Sequence, residues 1–473
     1  MRGRAKPMQQ PLWATPVPDT SRHRLLQRLA TLLDLSGAVQ RADGAFASTG
    51  RPSIPVEQML KAMLIGYLFG IPSDRQLVEV CADSLACRHF LGLATDAPMF
   101  VHASFTHWRQ RLGPDYFRDF LHDVVRQCQA HGLRLGTVRT VDASTIKAQA
   151  GRDGPVVSLP PGTTIDQYLQ QAFAADEPLL PAAADTVPVN QHDPDARLQR
   201  KGGEPAEFAY QGSFSADPHS GLIVDATATP TEQPPTMVAH VDHDPGVVTE
   251  LVADRRYDDG TSLEQLQDRG VTVYVPRADR TKAGQLSKDE FTYEPEHDRY
   301  RCPNGCDLDF FGIDRSKRRR RYRSRARDCA ACPRKGECAR GAHRYIDRHF
   351  SEAARERTVR AGPRYRQQMR ARRIAEHLFL LAKRDHGMRR ARGLGLAAVC
   401  IQVALTAIAI DLKKLVRFTT TAPAVVAAAR SALRCLGQTV APRLAPGCRG
   451  PLMPATRPAP PDRRWRCQPA GAF

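Results

Sequence analysis

Apolar and polar positions follow two different periods along this chain, and the period changes near residue 137. Before that point it is helical. Val56, Met59, Leu60, Met63, Leu64 and Tyr67 recur at helical spacing. Gly70-Ile71-Pro72 ends that helix, and Ser73 with Gln76 three residues on predicts a capping box for the next. Short helices follow near 74–82 and 84–91. A longer one runs from Phe105 to Gln129, broken at Gly113-Pro114. Two helices joined by a tight glycine-containing turn have the shape of a helix-turn-helix, although any small helical bundle gives the same pattern.

From residue 137 the runs are short and strand-like. Thr137–Val141 is β-branched and ends in Asp142; Phe208–Ser215 and Leu222–Asp225 flank a turn at Asp217–Gly221; Leu251-Val252-Ala253 ends in Asp254; Val271–Pro276 follows a helix at about 261–269. A further helix is expected near 235–250. Residues 150–206, rich in Pro, Ala and Asp, read as a flexible insertion with one helix near 165–175. This order predicts an α/β fold with a mixed sheet. Long helices return at about 364–386 and 394–417, and 419–473 reads as a disordered tail.

Charge narrows the partner. The 473 residues carry 69 Lys and Arg against 50 Asp and Glu, a net +19 with pI near 9.7. A clustered surplus of this size favours a polyanion, because each phosphate contact releases counterions. Twelve cysteines are too sparse for a disulfide scaffold. No signal-like apolar segment follows Met1, and Leu394–Ile410, interrupted by Gly395, Gln402 and Thr406, reads as too short to span a bilayer. The expectation is a cytoplasmic protein with reduced thiols and no membrane partner.

Candidate chemistry lies in three acids and five thiols. Asp142 and Asp254 each close a strand, where side chains leave the core of an α/β sheet and face a crevice. On the helix expected at 364–386, Met369, Arg372, Glu376 and Lys383 fall within about 60° of one another, while Ile374, Leu378 and Leu381 form a face suited to a core. The bland alternative is a solvated face with an Arg372–Glu376 pair. Three carboxylates around one or two Mg²⁺ ions suit phosphoryl transfer, with Arg372 and Lys383 holding phosphate. Cys302-x3-Cys306 and Cys329-x2-Cys332-x5-Cys338 offer ligands for a structural Zn²⁺, with Cys302, Cys329, Cys332 and Cys338 the first choice and Cys306 or His343 in reserve. The alternative is plain thiols in an irregular loop. Zinc is favoured because this insert, about 291–345, has few apolar residues for a core. Its basic run, including Arg318, Arg319, Arg320 and Arg321, reads as tracking DNA phosphates, with solvated charge as the alternative. Cys81, Cys87, Cys128 and Cys400 read as core residues.

At these residues the chain resembles the DDE transposases of bacterial insertion sequences, in the branch with the motif Tyr-x2-Arg-x3-Glu-x6-Lys. Val141-Asp142-Ala143-Ser144 matches the first acid, Ala253-Asp254-Arg255-Arg256-Tyr257-Asp258 the second, and Arg372-x3-Glu376-x6-Lys383 the third. Asp193–Arg197, Gly221–Val224, Tyr300–Gly305 and Asp411–Leu415 match as well, so the likeness covers about 50 to 417. Met369 stands where the pattern has Tyr, and Arg255-Arg256 where a Lys-Gly pair is usual.

The resemblance implies an RNase H-like catalytic domain, with Asp142, Asp254 and Glu376 binding Mg²⁺ (or Mn²⁺). It implies strand cleavage at the element's ends, then attack of the freed 3′-hydroxyl on target DNA. The partners it implies are double-stranded DNA, as terminal inverted repeats and target, and a second copy of the chain in a homodimer on DNA. The layout is then a basic segment at 1–50, a helical DNA-binding domain at 51–130 and the first part of the catalytic domain at 131–290. The Cys-rich insert at 291–345, closing helices at 346–418 and the tail at 419–473 complete it. The alternatives are a zinc-containing DNA-binding protein, a decayed transposase, or a nuclease of similar fold that cuts without joining.

Overall fold

Val138–Lys147 (β1) is the strand on which the rest is arranged. The computed structural model describes residues 20–438 apart from 47–48, 51, 150–155, 160–163, 166, 168–186, 201–202, 204, 231–235, 279–285 and 340, and of 156–158 and 422–438 the backbone. The helix expected near 165–175 falls largely outside the described residues.

β1 pairs antiparallel with Glu207–Ala216 (β2), and β2 with Ile223–Thr229 (β3). On its other side β1 pairs parallel with Glu250–Ala253 (β4), and β4 with Thr272–Tyr274 (β5). The order is therefore β3-β2-β1-β4-β5, with Arg197–Gln199 added along the start of β2. The hairpin turn between β2 and β3 closes as Asp217 accepts from the Ser220 N–H and hydroxyl. Between β3 and β5 lie the helices Thr236–Asp242 (shorter than expected) and Gly260–Asp268.

Two cores cover the two faces. One runs without a break from the N-terminal helices through Phe208, Tyr210 and Phe214 to the closing helices; the other packs Met237, Leu263 and Leu266 on Val141, Leu251 and Val273. Val56–Leu68 is buried nearly all round, and Ala103–Ala130 breaks at Gly113 (φ 75°) as its sequence predicts. Ser73 caps the next helix by accepting from the Gln76 N–H at 3.2 Å. The turn before it packs inward: Gly70 has φ 62°, and a Cβ there would stand 2.5 Å from the Asp385 carbonyl oxygen. The helix preceding that turn is thus a core element, while the helix after it, Asp74–Asp83, buries only Leu77 and Cys81.

Three other expectations need correction. The helix expected at 364–386 is two helices, Gly362–Ala371 and Arg373–Asp385, meeting at Arg372, whose backbone stays in the right-handed helical region. The last helix runs Leu396–Gln438 and carries regular structure past 418 into the segment read as a tail. Its part Leu396–Thr421 is, by length and composition, long enough to cross a membrane, against the sequence reading. That window is 72% buried within the fold, and Gln402 uses its amide on the Arg390 carbonyl at 2.9 Å and the Arg392 N–H at 2.8 Å, as a core helix does.

The Cys-rich insert also differs. It forms a five-stranded sheet from Thr292–Glu294 (β6), Arg299–Arg301 (β7), Asp307–Asp314 (β8), Arg319–Ser324 (β9) and Tyr345–His349 (β10). Phe291, Tyr300, Leu308, Tyr322 and Ile346 give it a core of its own. The insert therefore does not need zinc in place of a core: strand alternation buries Tyr322 and Ser324 while Arg323 between them is only half-buried.

One buried acid makes stability depend on pH. Asp411 accepts from the Ile223 N–H at 3.1 Å, and its second oxygen has no hydrogen-bond partner among the described residues. Burial pushes its carboxyl up to about 8, against the pull of Lys414. A raised folded pKa means this contribution is complete below the unfolded value near 4 and is lost as pH rises toward 8. Denaturant unfolding of Asp411→Asn is expected to show a gain of roughly 2–4 kcal/mol at pH 8 and little at pH 4; an equal effect at both would refute this.

Candidate active site

The parallel ladder between β1 and β4 ends at the pair Val141–Ala253. The next residues are Asp142 and Asp254, so backbone register alone sets the first two acids side by side where the strands diverge. β1 does not end there, as the sequence reading had it. It continues to Lys147 against β2, leaving Asp142 in mid-strand and Asp254 as the cap of a short 3-10 turn over Arg255–Tyr257.

The third acid is placed by a pair of rings. Asp142 stands opposite Phe214 on β2, so the two side chains share a face of the sheet. Phe214 stacks on Phe379 of Arg373–Asp385, with centroids 4.5 Å apart and planes 8° from parallel. Glu376 lies three residues before Phe379, on the same flank of the helix, and so comes to the Asp142 side.

Two guanidinium groups join the acids. Arg372 is 2.8 Å from Glu376 Oε1 and 3.6 Å from Asp142 Oδ2. Arg256 is 3.2 Å from Asp254 Oδ2 and 3.9 Å from Asp142 Oδ1. Asp142, 7% exposed, also accepts from the Ala143 N–H at 2.8 Å. Burial raises its carboxyl above the usual range; the Ala143 N–H, Arg372 and Arg256 pull the other way, and Asp254 adds to the rise. The Glu376 side chain is 55% exposed. Among the described residues no three His, Cys, Asp or Glu side chains stand where they could hold one ion as now placed.

A cleft of about 530 Å³ opens at Ala143, Ser144 and Thr145, which follow Asp142, and is lined by the cations Lys147, Arg200, Arg256, Lys383 and Arg389 together with Glu207, the partner of Lys147. Lys383 thus shares a cleft with Arg256, although none of the three acids lines it. Arg318–Arg321 are not part of this wall. They lie on or beside β9, where Arg319 pairs with Asp314 and Asp347, Arg320 with Asp298, and Arg321 with Asp347. Much of that basic run is neutralised within its own sheet.

Among the insert thiols Cys302 stands beside Cys306, but no three of the five stand where they could hold one ion as now placed. Cys302 Sγ accepts from the Cys306 N–H at 3.3 Å, and burial together with the Cys302 and Cys332 thiols pushes the Cys306 thiol up. Cys338 is raised by burial and by Cys329, Cys302 and Cys332.

Two family models match the chain: the Transposase domain (DUF772) over residues 17–111 and the Transposase DDE domain over residues 301–416. Both matched models are transposase domains, and together they support an insertion-sequence DDE transposase. The second matched segment holds Glu376 and the insert cysteines; Asp142 and Asp254 lie outside both and stand on register. No curated protein matches the chain. Among solved structures, the piggyBac transposase synaptic complex with hairpin DNA is similar with TM-score 0.33 at 9% identity, over 85% of this chain and 74% of that one. A score of that size establishes no shared fold.

Sequence reasoning missed Arg256 as a bridge, the Phe214–Phe379 stack, and a buried group behind Asp142 made of Ser213, Asp225, His240 and Tyr257. A signal for the last was present: Ser213, Ser215 and Asp225 are polar residues at alternate positions of otherwise apolar strands, where a solvated edge would show longer side chains.

Proposed function

We propose that this transposase cleaves and joins DNA strands through Asp142, Asp254 and Glu376 in an RNase H-like domain. The observation that carries the reading is the junction of the three acids: register sets Asp142 beside Asp254, and one guanidinium, Arg372, reaches both Asp142 and Glu376. The strand order, three antiparallel strands followed by two parallel ones, supports the domain type.

The donor set fits a hard divalent ion, being carboxylate oxygen throughout. Arg256 and Arg372 already supply cationic charge between the acids, which is the role such an ion would take over. Asp142, Asp254 and Glu376 would hold Mg²⁺ or Mn²⁺, which activates an attacking oxygen and stabilises a leaving one in phosphoryl transfer. The protein's own part is positional. Phe379 on Phe214 fixes the helix that carries Glu376, and the exposed Glu376 side chain is free to turn toward Asp142 once Arg372 takes a phosphate. Lys383, Lys147, Arg200 and Arg389 would hold the DNA backbone along the cleft.

Double-stranded DNA as terminal repeat and target, and a homodimer on it, follow from the same reading. The deciding experiment mixes the protein with Mg²⁺, a duplex of the element's end and a supercoiled target. Joined product is expected; cleavage without joining would make it a nuclease, and binding without either a DNA-binding protein.

Zinc in the insert is part of this reading on the ligand type and spacing of Cys302, Cys306, Cys329, Cys332 and Cys338, which suit a thiolate-rich tetrahedral site that would have to close around the ion. The purified protein is expected to carry about one zinc per chain by atomic emission, and Cys332→Ser to lose most of it. Because the insert has its own core, chelation is expected to loosen this lobe without unfolding the main sheet. Absence of zinc from protein purified without chelators would exclude the site.

A further inference from the structure

On the reverse face of the sheet from the Asp142 carboxylate lies a buried polar chain with no role in the mechanism above. β2 and β3 pair so that Ser215 stands opposite Asp225 and Ser213 opposite Thr227. Alternation along the strands puts Ser213, Ser215 and Asp225 on the face away from Phe214. His240, on the helix Thr236–Asp242, reaches into this face. Its Nδ1 is 2.6 Å from Asp225 Oδ2 and its Nε2 is 2.8 Å from Ser213 Oγ. Ser213 Oγ is in turn 3.2 Å from the main-chain carbonyl oxygen of Asp142. The Tyr257 hydroxyl faces Ser213 as well, three residues beyond Asp254. On the far side, the second Asp225 oxygen lies 3.4 Å from Arg118 Nε and 3.7 Å from His122 Nε2.

Serine, histidine and aspartate stand here in the order of a hydrolytic triad, yet hydrolysis is excluded. Ser213, Asp225 and His240 are each 1% exposed, and the neighbouring cleft is lined by Ala209 and Gln211 but not by Ser213. No substrate carbonyl can reach the hydroxyl. What the array does hold is direction. Burial opposes ionisation of Asp225, but His122, His240 and Arg118 outweigh it and keep the carboxylate charged. A carboxylate only accepts, so the Nδ1 proton is fixed and Nε2 faces Ser213. Ser213 has one proton and two acceptors, the ring nitrogen and the Asp142 carbonyl, and its oxygen is pinned between them.

We propose that Asp225, His240 and Ser213 form a positioning relay that fixes the main chain at Asp142 and, through Tyr257, the turn bearing Asp254, so that the two carboxylates keep the spacing a divalent ion requires. This goes beyond the transposase reading while resting on its assignment of Asp142 as an ion ligand. The relay acts from behind, touching neither ion nor DNA.

The test measures Mn²⁺ binding to the purified full-length protein by electron paramagnetic resonance, with thermal melts as the folding control. Ser213→Ala removes one hydroxyl and little volume, and is expected to weaken Mn²⁺ binding by about tenfold or more while the protein stays folded. His240→Gln can place its amide oxygen, an acceptor as Nε2 is here, near the Nε2 position and is expected to bind nearly as the parent does. His240→Asn can reach Asp225 but not Ser213, and is expected to bind as poorly as Ser213→Ala. A merely structural histidine would give no such split. Parental binding by folded Ser213→Ala, or equal binding by the two His240 variants, overturns the relay. Asp142→Asn separates the two levels: if it binds Mn²⁺ as the parent does, the ligand assignment falls and the relay with it. If it loses binding while Ser213→Ala keeps it, only the relay falls.

Discussion

Asp142→Ala is expected to lower Mg²⁺-dependent cleavage of a terminal-repeat duplex by at least about a thousandfold, the largest loss of any single change in this chain. Asp142 is the acid on which the site converges. Arg256 links it to Asp254, Arg372 links it to Glu376, and its own oxygen is fixed by the Ala143 N–H. Asp254→Ala and Glu376→Ala are expected to lose comparable activity, but for a different reason in the third case. Glu376 is the most exposed of the three and, on the proposed reading, would have to turn in to contribute, so Glu376→Asp, one methylene shorter, is expected to lose nearly as much as Glu376→Ala. Removing Asp142 also leaves two guanidinium groups without the carboxylate between them, so a modest drop in melting temperature should accompany the loss. Cleavage that survives all three alanine changes would remove the catalytic assignment. Cleavage that survives only Glu376→Ala would move the third ligand elsewhere.

Much of this site was legible before any fold was known, because local signals and long-range ones happen to agree there. Apolar runs ending in Asp142 and Asp254 mark β1 and β4, and periodicity marks the helix bearing Glu376, since each depends on residues within one element. What stayed hidden depends on partners far apart in the chain. The continuation of β1 past Asp142 is one case: Ala143-Ser144-Thr145 has little strand signal, and only pairing with Ser213, Gly212 and Gln211 makes it a strand. The break at Arg372 is another. Nothing in Gln368–Glu376 interrupts a helix locally, and the joint comes where Arg372 reaches across to Asp142. The insert misled for a third reason. Its core is built from tyrosines and single apolar residues spread over five short strands, so no window of sequence looks apolar enough to fold. A run dense in arginine likewise hides alternation, because Tyr322 is the sole inward ring among residues that all read as charge.

The other large effect is expected at Asp258, where Asp258→Ala should destabilise the protein by about 3–5 kcal/mol at neutral pH. Asp258 follows Asp254 by four residues and is buried. It accepts from the Ala278 N–H at 2.9 Å, from Arg355 through both oxygens, and from Arg360 at 2.8 Å. Both arginines come after the insert, so this one carboxylate ties the second acid's loop to the chain that returns from it. Burial works against its ionisation, but the Arg355 hydrogen bond, the Ala278 N–H and the two arginine charges prevail and hold it below the usual carboxylate range. A depressed folded pKa gives stability that is present above the unfolded value near 4 and is lost as pH falls through the folded one. The gap between parent and Asp258→Asn in denaturant unfolding should therefore be wide at pH 7 and narrow steadily below pH 4. A gap that stays constant with pH would mean that shape, not charge, holds the loop. Cleavage should fall in step with the fraction of protein in which this loop is docked, so adding Mg²⁺ in excess should recover part of the activity of Asp258→Asn and none of that of Asp142→Ala. That difference separates a residue that holds the site together from one that takes part in it.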